Sequence, residues 1–232
     1  MNEKLAEFYG ALLGDGCLSQ YFTKCDQRTR YCVQLTGHVH DLEYYETVLQ
    51  PTIRNTFGIS GTIRSRRGTQ AIIFNILNKS AFAFFHDLGM PIGKKHELAI
   101  PAAILQNPQF TAACVRGIFN TDGSVYRRYS KQYAGHTKVY AYQVIQFKMN
   151  TRVLLQQLSD YLQSNGIRVN RIIRDRASSV LRVTHQPSMH AFMTLIQTPH
   201  RYHRERYLKN YNGTCTASGS LAQPGRAFGS YS

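Results

Sequence analysis

The sequence predicts an α+β fold made of two pseudo-symmetric halves, each running αββαββα. Three observations lead there. First, a segment recurs: Phe8-Tyr9-Gly10-Ala11-Leu12-Leu13-Gly14-Asp15-Gly16 matches Val115-Arg116-Gly117-Ile118-Phe119-Asn120-Thr121-Asp122-Gly123 in kind, 107 positions on. Self-similarity at a fixed offset marks a repeated structural unit. Second, the register holds further along: Gly58-Ile59 against Gly166-Ile167, Ala83-Phe84 against Ala191-Phe192 and Pro91 against Pro199 each lie 108 apart. Third, stretches of helical and strand periodicity follow in the same order in both halves.

In the first half, residues 3–14 read as an apolar helix stopped by Gly16, followed by strands at 17–23 and 31–37. Asp41 to Phe57 has amphipathic spacing and ends at Gly58, a stop signal for a helix. Strands at 60–66 and 71–77 flank the turn Arg67-Gly68-Thr69-Gln70, with Ile72, Phe74 and Ile76 directed to the core. Ser80 to Leu88 is a short helix with Ser80 as N-cap and Gly89 as C-cap. The second half repeats the plan: helix 111–121, strands 123–129 and 139–148, helix 151–164, strands 168–175 and 179–185, helix 187–197. The chain of 232 residues thus divides into a first half (1–90), a partly ordered linker (91–110) punctuated by Pro91, Pro101 and Pro108, and a second half (111–211). Residues 212–232, rich in Gly, Ser and Ala, read as a flexible tail.

With 28 Lys and Arg against 13 Asp and Glu the formal net charge is +15, which calls for a polyanionic partner, nucleic acid or an anionic surface. Hydrophobic residues at 43% and aromatics at 12% exclude a disordered chain. No apolar run reaches the ~18 residues of a membrane span, so no membrane partner is expected. The polar start Met1-Asn2-Glu3-Lys4 is not a secretory signal. Five cysteines without a Cys-x-x-Cys pair point to reduced thiols in a cytoplasm (bacterial or archaeal) or an organellar matrix.

The two Asp-Gly helix ends carry the chemistry. Gly10 and Gly14, and Gly117 and Thr121, recur four apart, so each pair lies on one helix face and lets two backbones approach. Parallel packing of the two helices brings Asp15 and Asp122 together. Two carboxylates at helix C-termini repel each other and the helix dipoles, and a divalent cation relieves this, with hard oxygen donors suiting Mg²⁺ or Ca²⁺. One Asp-Gly alone is an ordinary turn. Two in matching context on a basic chain favour the metal reading.

Both segments resemble the dodecapeptide motif of the LAGLIDADG homing endonucleases, in the single-chain, two-motif subclass. The likeness continues into Gly93-Lys94-Lys95-His96 with Ile100-Pro101 and spans residues 1 to about 210. It implies that each half carries a four-stranded antiparallel DNA-binding sheet, set as a saddle in the major groove. It further implies double-strand cleavage at a long asymmetric site with short 3′ overhangs, intron-encoded and performed by a monomer. Asp15 and Asp122 stand at the position that binds the metals, Mg²⁺ with Mn²⁺ or Ca²⁺ able to substitute in binding. Gly14 and Thr121 stand where a backbone carbonyl helps coordinate. Leu13 and Asn120 depart from the acidic residue in the family's name, at a position that is not metal-binding. A basic residue near each scissile phosphate would balance charge. Lys94 is the chosen candidate, with Lys95 adjoining, Lys148 a rival, and Tyr202, His203 and Arg204 at the matching offset.

The predicted strands are rich in groups that read bases or phosphates. In the first half these are Ser19, Tyr21, Lys24, Arg28, Arg30 and Gln34, then Arg64, Arg66, Arg67 and Gln70. In the second they are Tyr126, Arg128, Lys131, Gln132, Gln143, Gln146 and Lys148, then Arg171, Arg174, Arg176 and Arg182. One sheet per groove turn implies a site of roughly 20 base pairs. His38-Val39-His40 lacks a third metal ligand at useful spacing and reads as a loop, and His200-Arg201-Tyr202-His203 as a phosphate-facing basic cluster. Two alternatives stay open: an RNA maturase acting on a host intron RNA, and a non-cleaving DNA-binding regulator of the same fold. Two retained acids beside a polyanion count against the regulator.

Overall fold

The computed structural model describes residues 1–95, 97–129 and 141–212. Helix α1 (Glu3–Asp15) starts on Asn2, whose side chain accepts from the Leu5 amide at 2.9 Å. The hairpin β1 (Gly16–Thr23) and β2 (Arg28–His38) follows. A helical run then opens as a 3₁₀ turn (Val39–Asp41), continues as α2 (Leu42–Tyr44), widens into a π turn (Tyr45–Leu49) and closes as α3 (Gln50–Phe57). The sequence predicts one regular helix here. Pro51 provides the physical reason for the defect, having no N–H for the carbonyl a turn earlier and a ring that pushes it aside. Gly58 ends the run at φ 67°, a left-handed stop that glycine takes without strain.

Strands β3 (Thr62–Ser65) and β4 (Ala71–Leu77) lead into α4 (Lys79–Asp87). Its cap is Asn78, accepting from Ala81 N at 2.8 Å, and not Ser80 as the sequence predicts. Gly89 lies just past the end at φ 108°. The linker contains a short helix, α5 (Ala102–Leu105), and α6 (Pro108–Asp122) begins earlier than expected, because Asn107 caps it and Pro108 fits its first turn. The second half continues with β5 (Gly123–Tyr129), β6 (Ala141–Met149), α7 (Arg152–Ser164), β7 (Ile173–Asp175), β8 (Ser178–Val183) and α8 (Gln186–Ile196). The strand expected over 168–175 shrinks to three residues, since Ile167 and Ile172 turn inward to the core. A further helix, α9 (Arg201–Asn212), was not anticipated and takes in the first residue assigned to the tail. The remainder of that tail, 213–232, and the candidates Lys131 and Gln132 lie outside the described residues.

Two antiparallel sheets result, in the orders β1-β2-β4-β3 and β5-β6-β8-β7. Leu18, Val33, Leu35, Ile72, Phe74 and Ile76 of the first, and Val125, Ile145, Phe147, Leu181 and Val183 of the second, face a core covered by helices. The opposite face of each sheet is open. Helices α1 and α6 run side by side in parallel at the join of the two halves. A methyl at Gly10 would overlap the Cys114 backbone, one at Gly117 the Glu7 carbonyl, and one at Gly14 the Thr121 hydroxyl. Behind this contact, Glu7 accepts from Arg116 Nε at 2.9 Å, Tyr44 Oη at 3.0 Å and Asn120 Nδ2 at 3.3 Å, and Thr198 donates to Asn120 Oδ1 at 2.6 Å. Asn120, a departure from the motif, is therefore part of the buried seam. Among the described residues no helix is long and apolar enough to cross a membrane.

Candidate active site

Because α1 and α6 pack in parallel and end in step, their last residues, Asp15 and Asp122, meet at the join of the two sheets. Burial, then the charges of Asp122 and Asp41, push the Asp15 carboxyl up to about 7 against the opposing pull of Lys95. Burial pushes Asp122 up to about 6, again opposed by Lys95. Lys95 is the counter-charge of the pair: its ammonium donates to Leu13 O at 3.0 Å and to Gly14 O. Desolvation lowers its affinity for the proton while both carboxylates raise it. Lys94, the lysine chosen from the sequence, is exposed to solvent, and it is its neighbour Lys95 that reaches the helix ends. The Gly14 carbonyl is correspondingly engaged by Lys95, and Thr121 Oγ1 is turned back to Gly117 O at 3.1 Å.

The pair opens on two sides. A cleft of about 910 Å³ is lined by Asp15, Asp41, Thr121, His38, His203 and Arg206, among others. A smaller one, about 230 Å³, is lined by Lys95, Asp122, Lys148 and Asn150. Helix α9 forms a wall of the larger cleft, and the His200–His203 stretch contributes Tyr202 and His203 to its lining. His200 is buried and meets Asp41 Oδ1 at 3.0 Å, Tyr202 stacks on His40 at 4.4 Å, and His203 packs on Phe119 at 4.8 Å. Burial and the neighbouring His200 hold His203 down to about 4, so it is neutral. Tyr45 Oη and the Nδ1 atoms of His200 and His203 are buried without a hydrogen-bond partner. Among the described residues no three His, Cys, Asp or Glu side chains gather as a cage for a metal. The donor set at the helix ends is two carboxylates with backbone carbonyls, all hard oxygens, which fits a divalent cation that takes its other ligands from water or phosphate.

Most of the predicted readers lie on the open faces or at their rims. Strand register places Ser19, Tyr21, Arg28, Arg30, Gln34 and Arg64 on the open face of the first sheet, with Lys24, Arg66, Arg67 and Gln70 in its turns. Arg30 is bonded to Asp26 and Gln70 to His38 Nε2 at 2.7 Å. On the second sheet Tyr126, Arg128, Gln146, Lys148 and Arg182 share the open face, with Arg171 beside them. Two expectations fail. Gln143 is buried on the core side, donating to Tyr207 O at 3.1 Å, because strand alternation puts it on the face of Ile145 and Phe147, opposite to Gln146 and Lys148. Arg174 pairs with Ser179 on the side away from Arg182 and donates to the Arg176 carbonyl at 3.2 Å. Lys148 is held by Asp175 at 2.7 Å, and Arg176 sits in a turn at φ 58°.

Residues 109–197 match the family model of the LAGLIDADG-like domain. Solved structures match nearly the whole chain. I-DmoI in complex with DNA and Mn superposes with a TM-score of 0.60 at 17% identity, covering 84% of this chain and 97% of that one. I-DmoI with DNA and Ca gives 0.62 at 16%, covering 90% and 97%. The LAGLIDADG meganuclease I-AabMI bound to uncleaved DNA gives 0.60 at 14%, covering 92% of each chain. The chain has the LAGLIDADG homing endonuclease fold. The family model covers most of the second Asp-Gly helix, α6, and the sheet that follows it, while the solved structures match across both halves. No curated protein matches the sequence.

Proposed function

We propose that this chain is a monomeric LAGLIDADG homing endonuclease that lays the open faces of both sheets along one DNA duplex and hydrolyses a phosphodiester in each strand at the Asp15–Asp122 pair. The observation that carries the reading is the pair itself: two carboxyls crowded at the joint between two basic surfaces, with Lys95 their nearby cation. A protein that only bound DNA would gain nothing from acids placed where a phosphate backbone runs.

Asp15 and Asp122, with the carbonyls of Gly14 and Thr121 beside them, would hold the divalent cation, Mg²⁺ or Mn²⁺. That cation supplies Lewis-acid polarisation of the phosphoryl oxygen and neutralises its charge. The chain's own contributions are separate. The sheets orient the duplex so that a phosphate of each strand crosses the helix ends. Lys95 sets a fixed positive charge beside the charge that grows in the transition state, and the exposed Lys94 is left to backbone contact. The duplicated halves (1–90 and 111–211, joined by 91–110) span roughly 20 base pairs without a partner subunit. Their sequences differ, so the site is asymmetric, as befits an intron-encoded enzyme with one target. The free thiols of Cys17, Cys25, Cys32 and Cys114 suit a reducing cytoplasm or organellar matrix.

The test is to incubate the protein with a randomised duplex library and Mg²⁺, sequence the cut ends, and run Asp15→Asn in parallel. One recurrent long site, cut by the wild type and spared by the variant, is the expected result. Enrichment by binding with no cutting in Mg²⁺ or Mn²⁺ would overturn the enzyme and favour a regulator. Indifference to duplex DNA would turn attention to intron RNA.

A further inference from the structure

Gln34 and Gln146 occupy matching places in the two sheets. Each sits on the second strand, on the open face, one residue before the partner of the Asp-Gly glycine. Gly16 pairs with Leu35 and Cys17 with Gln34, while Gly123 pairs with Phe147 and Ser124 with Gln146. Both side chains are half-buried close to the join of the halves. Their hydrogen bonds nevertheless differ in kind.

Gln146 Oε1 accepts from Tyr126 Oη at 2.9 Å and from Arg182 Nε at 2.8 Å. A guanidinium has no acceptor, so the amide atom facing it is the oxygen, whichever way the amide is drawn. An amide oxygen carries two lone pairs, and both are engaged. What Gln146 presents to the groove is its NH₂ alone, a pure donor, beside a recess of about 450 Å³ lined by Arg128, Arg171 and Arg182. Among the described residues Gln34 makes one side-chain hydrogen bond, from its amide to Thr36 Oγ1 at 3.1 Å. A hydroxyl both donates and accepts, so in either orientation Gln34 keeps a free N–H and a free carbonyl lone pair. The difference comes from two substitutions between the halves. Ser19 stands where Tyr126 stands, too short to reach across, and Asn75 pairs with Gln34 where Arg182 pairs with Gln146.

In the major groove adenine offers an acceptor beside a donor, N7 and N6–H₂, and guanine offers two acceptors, N7 and O6. We infer that the two glutamines read different bases at dyad-related positions of the target, Gln34 an adenine and Gln146 a guanine. Tyr126 and Arg182 act on Gln146 as positioning residues that remove its capacity to accept. The inference rests on the DNA-binding reading of the open faces and adds to it the point at which the site departs from a palindrome.

The experiment is selection of bound duplexes from a randomised library by the full-length protein in Ca²⁺. The two positions are identified as those whose base choice is lost in Gln34→Ala and in Gln146→Ala. Wild type is expected to favour adenine over guanine at the first and guanine over adenine at the second, each by roughly tenfold. Tyr126→Phe, which frees one lone pair of Gln146, is expected to raise adenine at the second position roughly tenfold and leave the first unchanged. Gln146→Arg, a donor-only replacement, keeps guanine. The same base at both positions, or a Tyr126→Phe variant that binds with unaltered preference, would overturn the assignment while leaving DNA binding intact. A wild-type protein that enriches no duplex would overturn the DNA reading and the assignment with it.

Discussion

At the scale of single residues, the Asp15–Asp122 pair has a consequence for stability that is independent of catalysis. Both carboxyls titrate above their unfolded value of 3.8, near 7 and near 6. Between those limits the folded protein binds protons that the unfolded chain releases, so their contribution to stability is fully present below about pH 4 and is lost as pH rises through 6 to 7. Without divalent cation, the midpoint of thermal unfolding of wild type relative to Asp15→Asn should therefore fall between pH 5 and pH 8. Each kcal/mol lost corresponds to roughly 2–4 °C for a chain of this size. Adding Mg²⁺ at pH 8 should raise the wild-type midpoint and leave Asp15→Asn nearly unmoved, because a ligand that binds only the folded state stabilises it. A pH-independent difference between the two proteins would show that the carboxyls are not crowded. Much of this site is legible in the sequence, since a duplicated Asp-Gly ending names both acids. The choice between Lys94 and Lys95 is not, because it depends on which face a short irregular linker turns inward, and no periodicity constrains that.

At the scale of elements, the parallel seam of α1 and α6 places the acids, and small residues permit it. An added methyl at Gly117 would strike the Glu7 carbonyl and the Ala11 amide, backbone that has no room to yield within a helix. Gly117→Ala should lower stability by about 1–3 kcal/mol or more and reduce cleavage further than that loss explains, by separating Asp15 from Asp122. Gly58→Ala is the control: its left-handed conformation is strained by about 1–2 kcal/mol, but nothing lies near it and cleavage should persist. Glu7→Ala leaves half-buried Arg116 without its carboxylate and buried Asn120 and Tyr44 without their acceptor, and should cost at most about 3–5 kcal/mol in urea unfolding, with Glu7→Gln milder because it can still accept. Equal losses for Glu7→Ala and Glu7→Gln would show that the seam needs the charge rather than the hydrogen bonds. The strands and the long helices of both halves are readable from apolar periodicity. Helix α9 is not, because its inward face is built from Tyr202, His203 and Tyr207 instead of aliphatic residues, so no apolar stripe marks it. The same blindness hides the role of Asp41, which reads as a helix start and turns out to hold His200 and to act on the charge of Asp15.

For the whole molecule, the duplication is near-symmetric in backbone and unequal in chemistry. Lys95 and His203 follow their motifs at nearly the same distance, 80 residues past Asp15 and 81 past Asp122. Lys95 reaches the carbonyls of Leu13 and Gly14, and the Asn120 carbonyl, the counterpart of Leu13, is the hydrogen-bonding neighbour of His203. One side of the acid pair therefore has a buried ammonium, and the other a neutral imidazole with Arg206 nearby in the cleft. Stabilisation of charge in the transition state by a fixed cation is worth roughly 10²–10³ in rate where a donor is removed, so the two strands should be cut at different rates. With a supercoiled plasmid bearing the target, nicked circles should accumulate before linear product. His203→Lys should shorten the life of that intermediate, provided the variant keeps its unfolding midpoint, and Lys95→Met should slow the faster nick. Linear product that appears without a nicked precursor, in wild type as in His203→Lys, would mean that the unequal neighbours of Asp15 and Asp122 do not reach the chemistry.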